Sequence, residues 1–274
     1  MSAVATSVAR HYDARGARAL PSDGPAPVVN MGYWRATRAA RAARAPTRLH
    51  DASLALFDLV LDEAAITPGD RVVDAGCGFG LASLRAIERG AASVIGLNVS
   101  RAQLAHARAL AENAGHGSRA QFVCASATQM PLEPESAHAV VSIEAAFHFD
   151  DRDAFFDEAR RVLAPGGRLV IADLVLTPPA NVVEAGMLSH LSRALAFPLA
   201  NAYDLAAYQT RVRRAGLVVE SCRSIAHDVL PAFRRWMARN ALRHRAIRDD
   251  LALAPYLLYP WDYALVVARR PEVA

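Results

Sequence analysis

The segment RVVDAGCGFG, residues 71–80, is where residue types and spacing say most about chemistry. A short apolar run delivers Asp74 at its end, Gly76 and Gly78 let the backbone turn and approach a ligand, and Gly80 opens a helix tightly. Glycines alone would suit a dinucleotide as well. The spacing D-x-G-x-G-x-G lacks the G-K-[ST] of a triphosphate loop, and the chain contains no lysine. A carboxylate beside such a turn suits a ligand with a cationic amine better than one with a pyrophosphate. Three more groups sit just past apolar runs: Glu144, His148 and Asp173. His148 is either a proton acceptor or a loop histidine bonded to backbone, Asp173 either helps it or braces the loop, and Glu144 either faces a ligand or is paired in the interior. The other eight histidines show no ligand spacing. With no H-E-x-x-H and no G-x-S-x-G, metal-dependent and serine-dependent hydrolysis fall away, and no metal is expected.

The elements that must position these groups read as strand and helix in turn. Strands are expected over 71–75, 93–97, 120–124, 137–143 and 168–173, and helices over 81–89, 101–113 and 152–163. Short connections between them indicate a parallel sheet covered on both faces, an α/β fold whose ligands sit at the C-terminal strand edge. Pro165, Gly166 and Gly167 are expected to form a compact stop between helix and strand. An amphipathic helix over 50–65 should pack against the sheet. Residues 177–203 break the rhythm with an apolar, proline-flanked insertion, expected as a cap over the ligand crevice. A helix over 204–215, a strand over 217–222, a helix-rich segment to about 248 and a last strand over 263–268 complete the chain.

With 274 residues and 53% hydrophobic content the chain can bury a full core, so disorder is excluded. Cys77, Cys124 and Cys222 lie far apart with no C-x-x-C, which excludes a disulfide framework and points to the cytosol. No apolar run reaches membrane-span length, and the N-terminus lacks a signal-peptide core. All 31 basic residues are arginine, and residues 1–50 hold eight of them against Asp13 and Asp23. A helix over 34–45 would carry Arg35, Arg38, Arg41 and Arg44 across one side, as a solvated face or an anion-receiving patch. Without interleaved aromatics or a recognition module, nucleic acid is not an expected partner.

Five segments in order resemble the class I S-adenosylmethionine-dependent methyltransferases. VVDAGCGFG resembles their first motif, VIGLNVSRAQ (94–103) the second-strand segment, CASATQMPL (124–132) the adenine-side loop, and residues 140–174 the fourth strand, helix and fifth strand. NMGYW, residues 30–34, is similar to the aromatic N-terminal signature of the branch that contains natural-product sugar O-methyltransferases and lipid methyltransferases. The resemblance implies a Rossmann-like, seven-stranded, mostly parallel sheet of order 3-2-1-4-5-7-6 with helices on both faces. It also implies an N-terminal arm over 1–50 that covers the site, ahead of a core over 51–274.

The resemblance further implies S-adenosylmethionine as cofactor, held by Tyr33, Trp34, Asp74, Gly76, Gly78, Asn98, Val99, Gln103, Ser126, Ala127 and Glu144. Two positions depart from the family pattern: Asn98 stands where a ribose-binding acid is usual, and Ser126 where an acid usually reaches the adenine. The histidine at the place of His148 is proposed as general base in the resembling sugar O-methyltransferases, with the aspartate at the place of Asp173 assisting. Tyr12, Phe147, Met187, Leu191 and Phe197 are expected to meet a hydrophobic or glycosylated small natural product. Methyl transfer to a hydroxyl is the leading expectation, transfer to nitrogen or carbon the alternative, and a methyltransferase-like cyclase or binding protein the third. The apolar 177–203 face could instead pack on the core or join a homodimer.

Overall fold

The computed structural model describes residues 2–15, 30–35, 48–241 and 259–272. The expected helix over 34–45 with Arg38, Arg41 and Arg44, the turn-rich stretch before Asn30 and the segment from 242 to 258 fall outside these residues.

Seven strands form one sheet: β1 (Arg71–Ala75), β2 (Ser93–Asn98), β3 (Ala120–Cys124), β4 (Ala137–Ile143), β5 (Leu163–Leu176), β6 (Val218–Ser224) and β7 (Trp261–Arg269). Their spatial order is β3-β2-β1-β4-β5-β7-β6, with β7 antiparallel to both neighbours and the other pairs parallel. Central strands covered on both faces need apolar residues at every position, which is why VV and AVV runs, rather than strict alternation, mark them.

The helices divide between the two faces. α2 (Leu49–Glu63), α3 (Leu81–Glu88) and α8 (Ala226–Ala241) cover one face, where Leu56, Ile87 and Val229 meet Val72 and Val170. On the other face Phe155 and Val162 of α5 (Arg152–Val162) and Tyr208 of α7 (Leu205–Arg214) meet Val73, Val140 and Ile171. α4 (Arg101–Asn113) packs Leu104 and Ala107 against Phe122 of β3. No helix among the described residues is long and apolar enough to cross a membrane.

The stop expected at Pro165–Gly167 is corrected. β5 begins at Leu163 and runs through it, because Gly166 N–H donates to Arg270 O and Arg270 N–H donates to Gly167 O, joining the end of β7. The irregularity appears instead as a register shift against β4 between Ala137 and Ala139.

Two additions to the sheet frame its C-terminal edge. α1 (Ala3–Arg15) docks at the start of α4, where Ser100 Oγ donates to Asp13 Oδ1 at 2.6 Å. α6 (Val182–Leu195) starts at Asn181, whose side chain accepts the Glu184 N–H, and ends at Ala196 in the left-handed conformation, φ 53°. Its Leu188 and Leu191 are buried, while Val182 and Val183 face solvent.

Candidate active site

The glycine turn after β1 is fixed by Gly76 and Cys77, whose N–H groups both donate to Leu97 O at the end of β2. Gly76 has φ +84°, and a Cβ there would stand 2.3 Å from the Ala145 Cβ, so the Ala145 methyl in the turn after β4 packs directly on the Gly76 backbone in the turn after β1. Beside this contact opens a crevice of about 650 Å³ measured out to its mouth. Gly76, Gly78, Asn98, Val99, Gln103, Ser126, Ala127 and Glu144 line it, together with Tyr12 and His148. Ala5 and Val8 of α1 and Phe149 complete its apolar side.

At the β2 end, Asn98 Oδ1 accepts from Val99 N–H (2.8 Å) and Ser100 N–H (3.3 Å), while Asn98 Nδ2 donates to Gln103 Oε1 (2.8 Å). The Asn98 acceptor is thus spent on its own loop, and Gln103 Nε2 is left as a donor of the pair. Ser126 is shared with Thr128, accepting its N–H at 3.2 Å. A site of neutral amides and hydroxyls at one end, an apolar middle and a carboxylate-bearing glycine turn at the other fits a nucleoside joined to an amino acid.

Asp74 itself does not line the main crevice. It lies in an adjoining recess and accepts from Ser83 Oγ at 2.6 Å; burial pushes its carboxyl up to about 6, against that hydrogen bond. Glu144 lies past the end of β4 with φ 48°, a left-handed conformation rare outside glycine. Its Oε1 accepts both Met31 N–H (2.7 Å) and Tyr263 O–H (2.8 Å). Burial lifts its carboxyl from 4.5 to about 8 in spite of these two donors, so near neutral pH it is largely protonated, with Oε2 left to carry the hydrogen.

His148 closes a short 3₁₀ turn, Ala146–His148, and its ring is held from two sides. Ala196 O lies 3.1 Å from Nδ1, and Tyr12 Oη lies 2.7 Å from Nε2. A carbonyl can only accept, so Nδ1 carries the hydrogen; in the neutral ring Nε2 then offers its lone pair and Tyr12 donates to it. In that tautomer the nitrogen free of hydrogen is the one beside Tyr12, and both residues line the crevice.

Behind the turn lies a buried network. Asp173 is fully buried, pairs with Arg152 at 2.9 Å, and accepts from Phe147 N–H (3.1 Å) and Tyr208 O–H (3.2 Å). Burial pushes the Asp173 carboxyl up and the Arg152 guanidinium opposes it; burial works against the Arg152 charge too, and Asp173 overrides it, raising the guanidinium above its ordinary range. Arg152 also donates to Asn201 O and Leu174 O and lies over the Tyr203 and Tyr208 rings. Asn201 Nδ2 in turn donates to Phe147 O (3.1 Å) and Phe149 O (2.7 Å), the carbonyls on either side of His148.

Several expected contacts are not brought to the crevice. Asp173 reaches the turn's backbone rather than an acceptor, because its oxygens are taken by Arg152, Tyr208 and Phe147. Tyr33 is buried with its hydroxyl donating to Asp228 Oδ2 at 3.3 Å, and Trp34 Nε1 donates to Met31 O, so both anchor the 30–35 segment and neither lines the crevice. Phe147 is buried against the His148 ring and Phe197, while Leu191 and Phe197 are interior and Met187 packs on the same cluster. The 177–203 insertion therefore contributes Ala196 O to the site, not an apolar wall; that wall comes from α1. Arg152, Asn201, Asn30 and Phe149 were not singled out in the sequence. In the sequence Arg152 is only the first residue of the helix expected over 152–163.

A family model described as a methyltransferase domain matches residues 73–171. Methyltransferase GfsG of Streptomyces halstedii is 32% identical, over 75% of this chain and 73% of that protein. The 27-O-demethylrifamycin SV methyltransferase of Amycolatopsis mediterranei is 29% identical, over 89% of this chain and 90% of that protein. Among solved structures, a geranyl diphosphate methyltransferase in complex with GPP and sinefungin superimposes with a TM-score of 0.78 at 20% identity, covering 98% of this chain and all of that one.

Proposed function

The chain belongs to the class I S-adenosylmethionine-dependent methyltransferases, and from that premise we propose that it methylates a hydroxyl of a small, largely apolar natural product in the cytosol, with His148 as general base. The observation that carries the choice of oxygen is the imidazole itself, with Nδ1 held by Ala196 O and Nε2 turned to the crevice. A hydroxyl, unlike an activated carbon or an amine already free of its proton, must lose a proton as the bond forms. The name of the rifamycin relative, which acts on an O-demethyl compound, supports the same choice.

Bound in the crevice, S-adenosylmethionine supplies an electrophilic methyl on a sulfonium. Asn98, Val99, Gln103, Ser126 and Ala127 hold its nucleoside side, and the Gly76–Gly78 turn holds the other end. His148 Nε2 accepts the acceptor's hydroxyl proton, the acceptor oxygen taking the place now filled by Tyr12 Oη. Ala5, Val8 and Tyr12 of α1 exclude water, and residues 1–50 act as the cover of the core. Asp173, Arg152 and Asn201 hold the turn that aims the ring and do not touch the reacting atoms.

The test supplies the enzyme with methyl-13C S-adenosylmethionine and a panel of polyketide and glycosylated polyketide acceptors. The reading expects the label in O-methyl resonances. A label found only on carbon or nitrogen would overturn the choice of oxygen.

A further inference from the structure

A smaller recess of about 390 Å³ adjoins the crevice, and Gly76 and Gly78 line both spaces. Among the described residues Asp74 supplies its one carboxylate, and Asn30 lines it with an amide. Asn30 is 3% exposed. Its Oδ1 accepts the Gly32 N–H at 2.9 Å, which fixes the orientation of the amide, and its Nδ2 is a buried donor with no partner among the described residues. An amide hydrogen left unpaired in the interior costs free energy that a bound acceptor would return.

The backbone around Asn30 is built to hold it there. Met31 N–H donates to Glu144, Tyr33 N–H to Ala52 O and Trp34 N–H to Asp228 O. Gly32 has φ +73°, and a Cβ at that position would meet the Ala52 Cβ at 2.5 Å, so the segment lies flush on α2. Leu81 and Ala82, in the first turn of α3, line the same recess, and no side chain caps Gly80 ahead of them. An uncapped helix start presents N–H groups and positive partial charge. No arginine lines either space among the described residues. An anionic group entering here would therefore find only neutral donors to receive it, on the side away from the Asp74 carboxylate.

We propose that Asn30 Nδ2, with the first turn of α3, is the carboxylate-recognising element of the cofactor site, opposite an Asp74 that faces the ammonium of the same amino acid. This deepens the cofactor reading above and rests on it. The arrangement separates the two charges of a zwitterion between an orphan donor and a buried acid, and it makes the N-terminal segment part of cofactor recognition through a residue other than its aromatics.

Isothermal titration with S-adenosylmethionine and with decarboxylated S-adenosylmethionine isolates the carboxylate. Asn30→Asp keeps the side chain's shape and its acceptor for the Gly32 N–H while removing the donor. It should weaken S-adenosylmethionine roughly 10- to 100-fold, the range for a hydrogen bond to a charged group. Binding of the decarboxylated compound should stay within about 3-fold or tighten. Asn30→Ala gives the same comparison with no added charge, and should show the same preference. Equal losses for both ligands, or no loss for either, would overturn the assignment. If the unaltered protein bound neither nucleoside, the cofactor reading itself would fail, an outcome separate from either of these.

Discussion

The two sides of the 146–149 turn hold similar side chains under opposite conditions. Behind it, Asp173 meets a guanidinium, a phenol and a backbone N–H, and Arg152 and Asn201 extend the pairing to the carbonyls around His148. In front of it, Glu144 has two donors and no cation among the described residues, and lies largely protonated at the wall of an open crevice. Glu144 is one residue past Ile143 and Asp173 one residue past its partner Ala172 in β5, so position along the sheet does not separate them. What separates them is the partner: a paired buried charge fixes backbone, whereas an unpaired buried carboxyl keeps its proton and stays available to the site.

The largest effect should come from the rear side. Asp173→Ala leaves the Arg152 charge buried without its carboxylate, and should cost about 3–5 kcal/mol of stability. Urea unfolding measures it, and a loss below about 1 kcal/mol would erase the contrast between the two sides. Next comes Glu144. Its folded pKa is raised, so the folded state binds the extra proton, and this contribution is complete below pH 4.5 and is lost as pH climbs toward about 8. Glu144→Gln should therefore flatten the fall in stability between pH 5 and 8 by an amount on the order of 3 kcal/mol. Parallel pH profiles for the two proteins would place Glu144 with Asp173 instead. Smallest is Tyr12→Phe, which removes one hydrogen bond to His148 Nε2 and should change turnover by less than roughly 10-fold. A loss as deep as that of the base itself would make Tyr12 a proton relay.

The sequence announces the front of the site far better than the rear. Strand limits followed from apolar runs bounded by glycine and charged residues, and β3, β4 and α4 match residue for residue because both sheet faces are buried and helix ends coincide with turn residues. The same double burial hides which way a strand-end side chain points. Asp173 could face crevice or interior, and only Arg152, 21 positions earlier, decides it. Apolar composition in 177–203 was equally silent, since Leu191 and Phe197 would look the same in a ligand wall as in the core they occupy. Asn30 was visible within NMGYW, yet its burial depends on the close approach of Gly32 to Ala52, a contact with no signature along the chain.

The central claim is that the front of the turn carries the chemistry through His148, and single-turnover kinetics on His148→Ala with a confirmed hydroxyl acceptor tests it most directly. The rate of methyl transfer should fall by roughly 10²-fold or more, while titration shows S-adenosylmethionine binding unchanged within about 2-fold. An unaltered transfer rate would contradict the account, leaving His148 as a histidine that only ties the arm and Ala196 to the turn.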